Sequence, residues 1–295
     1  MKQPHIVGLG EILWDVFPDG PRFGGAPSNF ACSSSELARD KATVSVVSSV
    51  GDDDLGRKAL KELASHSVNT NGVQISQQPT GQVFVELDDD GVASYRFAEN
   101  TAWDNLKWSE DLQELAGTCD AVCFGTLGQR NESSRQVIRK FVSETSPDSL
   151  RIFDINLRAP YYNNQVILDS LQLANVLKLN NDELPYLAKT CGIAGDEIAC
   201  LGKFSEMFDL RCIALTRGAH GAVLIRGEEV SDLAGQDVEV ADTVGAGDAF
   251  TAAMTLGLLR GADVEEINQR AIRTAAFVCS KNGATPKFPD ELAFA

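Results

Sequence analysis

A mostly parallel α/β sheet covered by helices on both faces, with a small β excursion, is the fold class this sequence predicts. Three features predict it. From Ser109 onward, helix-forming stretches alternate with short apolar runs at 120–125, 150–155, 175–179 and 211–216, the order that builds a parallel sheet buried on both sides. The N-terminal part carries the same ingredients, with apolar runs at 5–10 and 42–50 and helix patterns at 30–39 and 54–66. Residues 82–87 and 92–97 flank Asp88-Asp89-Asp90-Gly91, a hairpin signal that needs a place outside the parallel sheet. With 295 residues and 43% hydrophobic content the chain can bury a large core. One domain over 1–295 is expected, with the excursion drawn from about 11–25 and 79–103.

Taken in order, His-Ile-Val-Gly-Leu-Gly at 5–10 suits a buried strand ended by glycine. Glu11 and Asp15 follow it directly, and ligands of open α/β sheets gather beyond the carboxyl ends of strands, so an acid there suits sugar hydroxyls or a metal. Gly8-x-Gly10 also opens a dinucleotide fingerprint. Its third glycine position holds Leu13 and no helix pattern follows, which leaves a nicotinamide-dependent oxidoreductase as a remote alternative. Gly24 and Gly25 let a substrate approach the backbone, and Asn29 offers both donor and acceptor to hydroxyl groups. Pro27 is acceptable in the first turn of the helix that follows. After the strand at 42–50 and the helix at 54–66, Pro79-Thr80-Gly81 marks a break before the hairpin. Runs at 223–225, 229–233 and 238–241 are close together and read as antiparallel strands, and helices at 248–259 and 264–281 end the chain.

Composition narrows the partners. A formal charge of -16 and a pI near 4.6 would repel nucleic acid and anionic membrane surfaces, so neither is expected. The start has no apolar run of signal-peptide length and no segment approaches the ~20 apolar residues of a membrane span, so a cytoplasmic protein is expected. Seven scattered cysteines without a C-x-x-C pair read as reduced thiols, and three distant histidines give no zinc pattern.

The most informative stretch is Asp-Thr-Val-Gly-Ala-Gly-Asp-Ala-Phe-Thr at 242–251. Gly245, Ala246 and Gly247 mark the turn where a helix begins. Its first amides lack partners inside the helix and its dipole favours negative charge, so this turn can bind an anion. Asp248 stands beside it. A carboxylate at an anion site makes sense when it takes the proton of a nucleophile attacking that anion, as phosphoryl transfer to an alcohol requires. The simpler reading is a favourable acid in a first helical turn. Three further groups fall at strand ends. Arg158, in Asp-Ile-Asn-Leu-Arg, can neutralise a phosphate. Asn180 and Glu183 stand three apart at a helix start, where they could face a magnesium-bound phosphate. Thr216, Gly218 and Gly221 suit a nucleotide phosphate or ribose. Singly each reads as structural; together at one sheet edge they point to a kinase.

On these motifs the sequence resembles the ribokinase, or PfkB, family of carbohydrate kinases, nearly end to end. The resemblance implies a ribokinase-like fold and ATP with Mg2+ as phosphoryl donor. It makes Asp248 the catalytic base and Gly245, Ala246 and Gly247 the anion hole. Asp15, Gly25 and Asn29 would hold the sugar, with Arg158 near sugar or phosphate. Asn180 and Glu183 would order magnesium (Glu183 through water) and phosphate, and Thr216, Gly218 and Gly221 would line the nucleotide site. A potassium-type ion (K+) would sit among Asp242, Val244 and Gly283. The hairpin would be a lid, and lids with an exposed apolar face often pair, so a homodimer is expected. Gly10 to Asp15, Gly24 to Pro27 and Asp154 to Arg158 look most like fructokinases. Fructose is therefore the expected acceptor, with 2-keto-3-deoxygluconate or another ketose as the alternative. Arg39-Asp40-Lys41 departs from the family, which usually turns there through glycine. No Walker A pattern is present, so a P-loop kinase is disfavoured.

Overall fold

The structure, a computed structural model, describes residues 3–87 and 93–294. In chain order it begins with β1 (His5–Leu9), β2 (Leu13–Phe17), β3 (Gly20–Gly24), α1 (Ala26–Ala38), β4 (Thr43–Gly51), α2 (Asp54–Ser65), β5 (Val73–Ser76), β6 (Gly81–Leu87) and β7 (Ala93–Phe97). Then come α3 (Glu110–Thr118), β8 (Ala121–Phe124), α4 (Glu132–Ser143), β9 (Leu150–Asp154), α5 (Asn164–Leu173), β10 (Val176–Asn180), α6 (Glu183–Cys191), α7 (Glu197–Phe208) and β11 (Cys212–Thr216). The chain closes with β12 (Ala222–Arg226), β13 (Glu229–Leu233), α8 (Ala246–Arg260) and α9 (Val264–Cys279).

The 9-stranded sheet runs β13-β12-β11-β10-β9-β8-β1-β4-β5, with every pairing parallel except the two that β12 makes, with β11 and β13. From β1 the chain builds outward in both directions, first through β4 and β5 and then from β8 on. The crevice at the carboxyl ends of β1 and β8 is therefore a topological switch point, where open α/β sheets bind ligands.

The apolar runs are nearly continuous because both faces are covered. Along β1, Ile6 joins the core under α1, α8 and α9, whereas Val7 and Leu9 face the core under α3 to α7. In β8, Ala121 and Cys123 face the first core and Val122 and Phe124 the second, the period-2 alternation of a strand. Each helix offers its own stripe, such as Phe250 and Met254 of α8 on one side and Ile138 and Phe141 of α4 on the other.

A 4-stranded sheet, β3-β2-β6-β7, stands apart from the main one. Leu13 and Val83 pin it to Trp103 and Leu127, with Phe97 edge-on to Tyr161 at 5.1 Å. Arg130 stacks 4.1 Å over Trp103 and donates to the carbonyl of Ala98 just past β7, which locks this corner. The acidic hairpin turn expected at 88–91 lies outside the described residues.

Two expectations need correction. Residues 238–241 form no strand: Val240 is 61% exposed, and the amides of Ala241 and Asp242 donate to the carbonyl of Cys279 at the end of α9 instead of to the edge of β13. The dinucleotide alternative also fails, because the chain after Gly10 enters β2 and offers no helix N-terminus to a pyrophosphate. At the departure from the family pattern, Arg39 itself takes a left-handed φ of 55° as it ends α1, and its guanidinium is tied to Glu36 and to the carbonyl of Phe288. All seven cysteines are free, and among the described residues no helix is long and apolar enough to cross a membrane.

Candidate active site

Asn29 of α1, Asp154 of β9, Lys178 of β10 and Ala284 beyond α9 meet at the start of α8. Gly245 opens that helix at φ 80°, and a Cβ there would collide with the carbonyl of Ala284, so only glycine fits the turn. Among the described residues no side chain caps α8, so its first amides remain available to an anion.

Asp248 lies in that first turn. Its Oδ2 accepts a 2.9 Å hydrogen bond from Nδ2 of Asn29, which is 4% exposed, so α1 and α8 meet through these two side chains. Although the residue itself is only part-buried, its carboxyl faces inward. Burial pushes its pKa up to about 6, with help from the charge of Asp154, against the Asn29 hydrogen bond and the cations Lys178 and Arg158. Among the described residues Asn29 Oδ1 has no partner, leaving a buried acceptor next to the base.

On the proposed sugar side, burial raises Asp15 of β2 to about 6 against the pull of Arg158 and Arg22. Gly25, at φ 108°, packs so closely on the backbone of Glu11 that a Cβ would come within 2.5 Å of its carbonyl oxygen. Arg158 is exposed, and its guanidinium donates to the carbonyl of Leu157. The left-handed φ of 44° at Asn156 shapes that loop, a conformation asparagine tolerates.

On the proposed nucleotide side, Asn180 and Thr216 are register partners at the ends of β10 and β11, and Gly218 and Gly221 close the next turn through a 3.1 Å backbone bond. A cleft of about 400 Å³ opens beside them, lined by Asn181, Glu197, Arg217, His220, Asp232 and Ala234. The Glu183 carboxylate already has two partners. Its two oxygens accept the amides of Leu157 at 2.9 Å and Asn180 at 2.8 Å, so the carboxylate expected to order magnesium is buried and holds two loops together. Asp242 likewise accepts the amides of Val244 and Gly283, at 3.0 and 3.2 Å, tying the loop before α8 to the loop after α9. Among the described residues no group of three or more His, Cys, Asp or Glu could hold a metal ion.

Four further residues gather here: Glu11, which with Asp15 is expected to suit sugar hydroxyls or a metal, and Lys178, Thr251 and Asp154, to which the sequence alone assigns no role at the site. Glu11 is 4% exposed, and burial pushes its pKa up to about 7 against backbone hydrogen bonds that include Ala26 at the start of α1. Lys178 pairs with Asp154 at 3.1 Å, and Thr251 donates to Asp154. A signal for Lys178 did exist: a lysine in the middle of an apolar run is almost never buried without a partner.

The chain is 31% identical to a sugar kinase of Pyrococcus horikoshii, over 97% of this chain and 94% of that protein. The solved structure of that kinase in complex with ATP superposes with a TM-score of 0.80 at 29% identity, covering 95% of this chain and 94% of the other. Fructokinase-2 of Oryza sativa subsp. japonica is 27% identical over 96% of this chain and 90% of its own length. The pfkB family of carbohydrate kinases matches residues 20–291, and the chain belongs to that family as a carbohydrate kinase.

Proposed function

We propose that this kinase transfers the γ-phosphoryl group of ATP to fructose, giving fructose 6-phosphate and ADP. The observation that carries the reading is Asp248, an inward-facing carboxyl held by Asn29 in the first turn of an uncapped helix. As the sugar hydroxyl oxygen bonds to the γ-phosphorus, the bond from phosphorus to the bridging oxygen of ADP breaks and the hydroxyl proton passes to Asp248. The amides around Gly245, Ala246 and Gly247 then take the negative charge of the moving group. A carboxyl near 6 is still ionised at neutral pH and is a stronger proton acceptor than an ordinary aspartate.

The donor set suits Mg2+ brought in on the nucleotide. Magnesium keeps several waters and leans on substrate phosphates, so it needs no protein cage; Asn180 and Glu183 would face it at most through water. When bound, it neutralises charge on the phosphate oxygens. The Asp242 tie brings Val244 and Gly283 together, the segments proposed to line a K+ site.

Fructose is favoured by the fructokinase-like stretches at the proposed sugar contacts and by relatives that carry that name. One observation favours a second reading: the exposed guanidinium of Arg158, near Asp15, suits the carboxylate of a sugar acid such as 2-keto-3-deoxygluconate. ADP release with magnesium-ATP over a panel of ketoses, aldoses and sugar acids tests both. A higher kcat/KM for 2-keto-3-deoxygluconate than for fructose would overturn the choice of fructose.

A further inference from the structure

A buried ion pair beneath the anion cradle has no part in the chemistry described so far. Lys178 of β10, 6% exposed, stands opposite Asp154 of β9 in the sheet register, with Nζ 3.1 Å from Asp154 Oδ1. The other oxygen of Asp154 lies 2.9 Å from Thr251 Oγ1, which is itself 3.0 Å from the carbonyl oxygen of Gly247. The ammonium also underlies the cradle, since a Cβ on Gly247 would come within 3.1 Å of Nζ. Sheet and cradle are thus joined by one chain of contacts, Lys178 to Asp154 to Thr251 to Gly247, ending one residue before Asp248.

A buried ion pair seldom stabilises a fold better than apolar residues of the same shape, so stability alone does not account for this one. Its surroundings are unusually charged. Asp154 from β9, Lys178 from β10, Arg158 from the loop after β9 and Glu11 from the loop after β1 all act on Asp248. Cys123 of β8 shares this neighbourhood and burial keeps its thiol protonated, while Glu183 of α6 acts on Lys178. Burial works against the Lys178 ammonium, yet Asp154, Glu183 and Asp248 together hold its pKa above the ordinary value.

We propose that Lys178 and Asp154 are positioning residues for phosphoryl transfer: through Thr251 the pair fixes the first turn of α8, and its opposed charges set the field in which Asp248 takes its proton. This rests on Asp248 being the base. Asp154 is a like charge beside it and Lys178 an opposite one, so removing either should move its titration in opposite directions.

The test is the single-turnover rate of phosphoryl transfer against pH, with ATP affinity measured alongside. Asp154→Asn should move the acid limb of the profile to lower pH and Lys178→Met to higher pH, each by about one unit. The double variant should return it towards wild type. Thr251→Val breaks the link without changing charge, and should lower the plateau by about tenfold to a hundredfold while leaving the limb in place. ATP affinity should stay near wild type throughout. Should Lys178→Met fail to fold, Asp154→Asn decides alone, because its buried ammonium keeps Glu183 and Asp248 as partners. An unmoved or raised limb in folded Asp154→Asn overturns the proposal. Asp248→Asn separates the two readings: if it abolishes transfer while the limb in Asp154→Asn stays put, the base stands and the positioning role falls. If Asp248→Asn keeps wild-type transfer, the base reading itself falls.

Discussion

The contact between Asn29 and Asp248 joins residues 219 apart in sequence, and the first test of the site belongs there. Asp248→Asn keeps size and hydrogen bonding but cannot accept a proton, so single-turnover phosphorylation should fall about 10²- to 10⁴-fold. Calorimetry should find ATP binding almost unchanged, because the cradle is backbone; equal losses of rate and affinity would mean a damaged helix start. Glu11 gives a second test, in stability. Its folded pKa of about 7 lies above the ~4.3 of a free glutamate, so between these values the native state binds more protons than the unfolded one. Stability from this group is therefore lost as pH rises through that window. Glu11→Gln removes the proton linkage while keeping an acceptor for the amide of Ala26. The melting temperature of the variant relative to wild type should climb from about pH 5 to about pH 8, and a constant difference would show that Glu11 is not proton-linked.

Among elements, the second sheet tests what covers the site. β6 is the parallel partner of β2, which carries Asp15, and Val83 and Phe97 anchor the pair to the main body. Replacing residues 82–97 by a short linker should raise the sugar KM and raise ATP hydrolysis relative to sugar phosphorylation, since water is then poorly excluded. Wild-type coupling in the truncated protein would show that the sheet is no lid. The strands of the main sheet were legible as short apolar runs alternating with helix patterns, whereas the split of Ile6 and Val7 between two cores appears only in the structure. Residues 238–241 were not legible, because a β-prone run of four does not reveal that the backbone amides at its end are claimed by the end of α9, far on in sequence. The glycines of α8 and the motif ends were legible as well, since a helix start that binds anions has a local signature. What escaped was non-local: the Lys178 pair depends on the β9–β10 register, and the carboxylate of Glu183 looked available until its two backbone donors were located.

For the whole molecule, the open question of assembly falls on the same small sheet. Tyr95 is 62% exposed on β7, and Arg22 and Arg96 stack over the rings of Phe17 and Phe84 at 4.2 and 4.4 Å. A homodimer through this face is the expected assembly, and scattering mass across a concentration series checks it; a monomer throughout would refute it. The long reach from Asn29 to Asp248 also bears on how the enzyme comes into being. Domains emerge from the ribosome N-terminal end first. The segments proposed to grip the sugar, on β2 and α1, are made first, whereas the proposed base and phosphate cradle arrive only with α8, after every strand of both sheets. A nascent chain in which α8 has not yet been made can therefore hold the proposed sugar contacts but lacks the parts proposed to spend ATP, so the sugar side is built before ATP can be consumed.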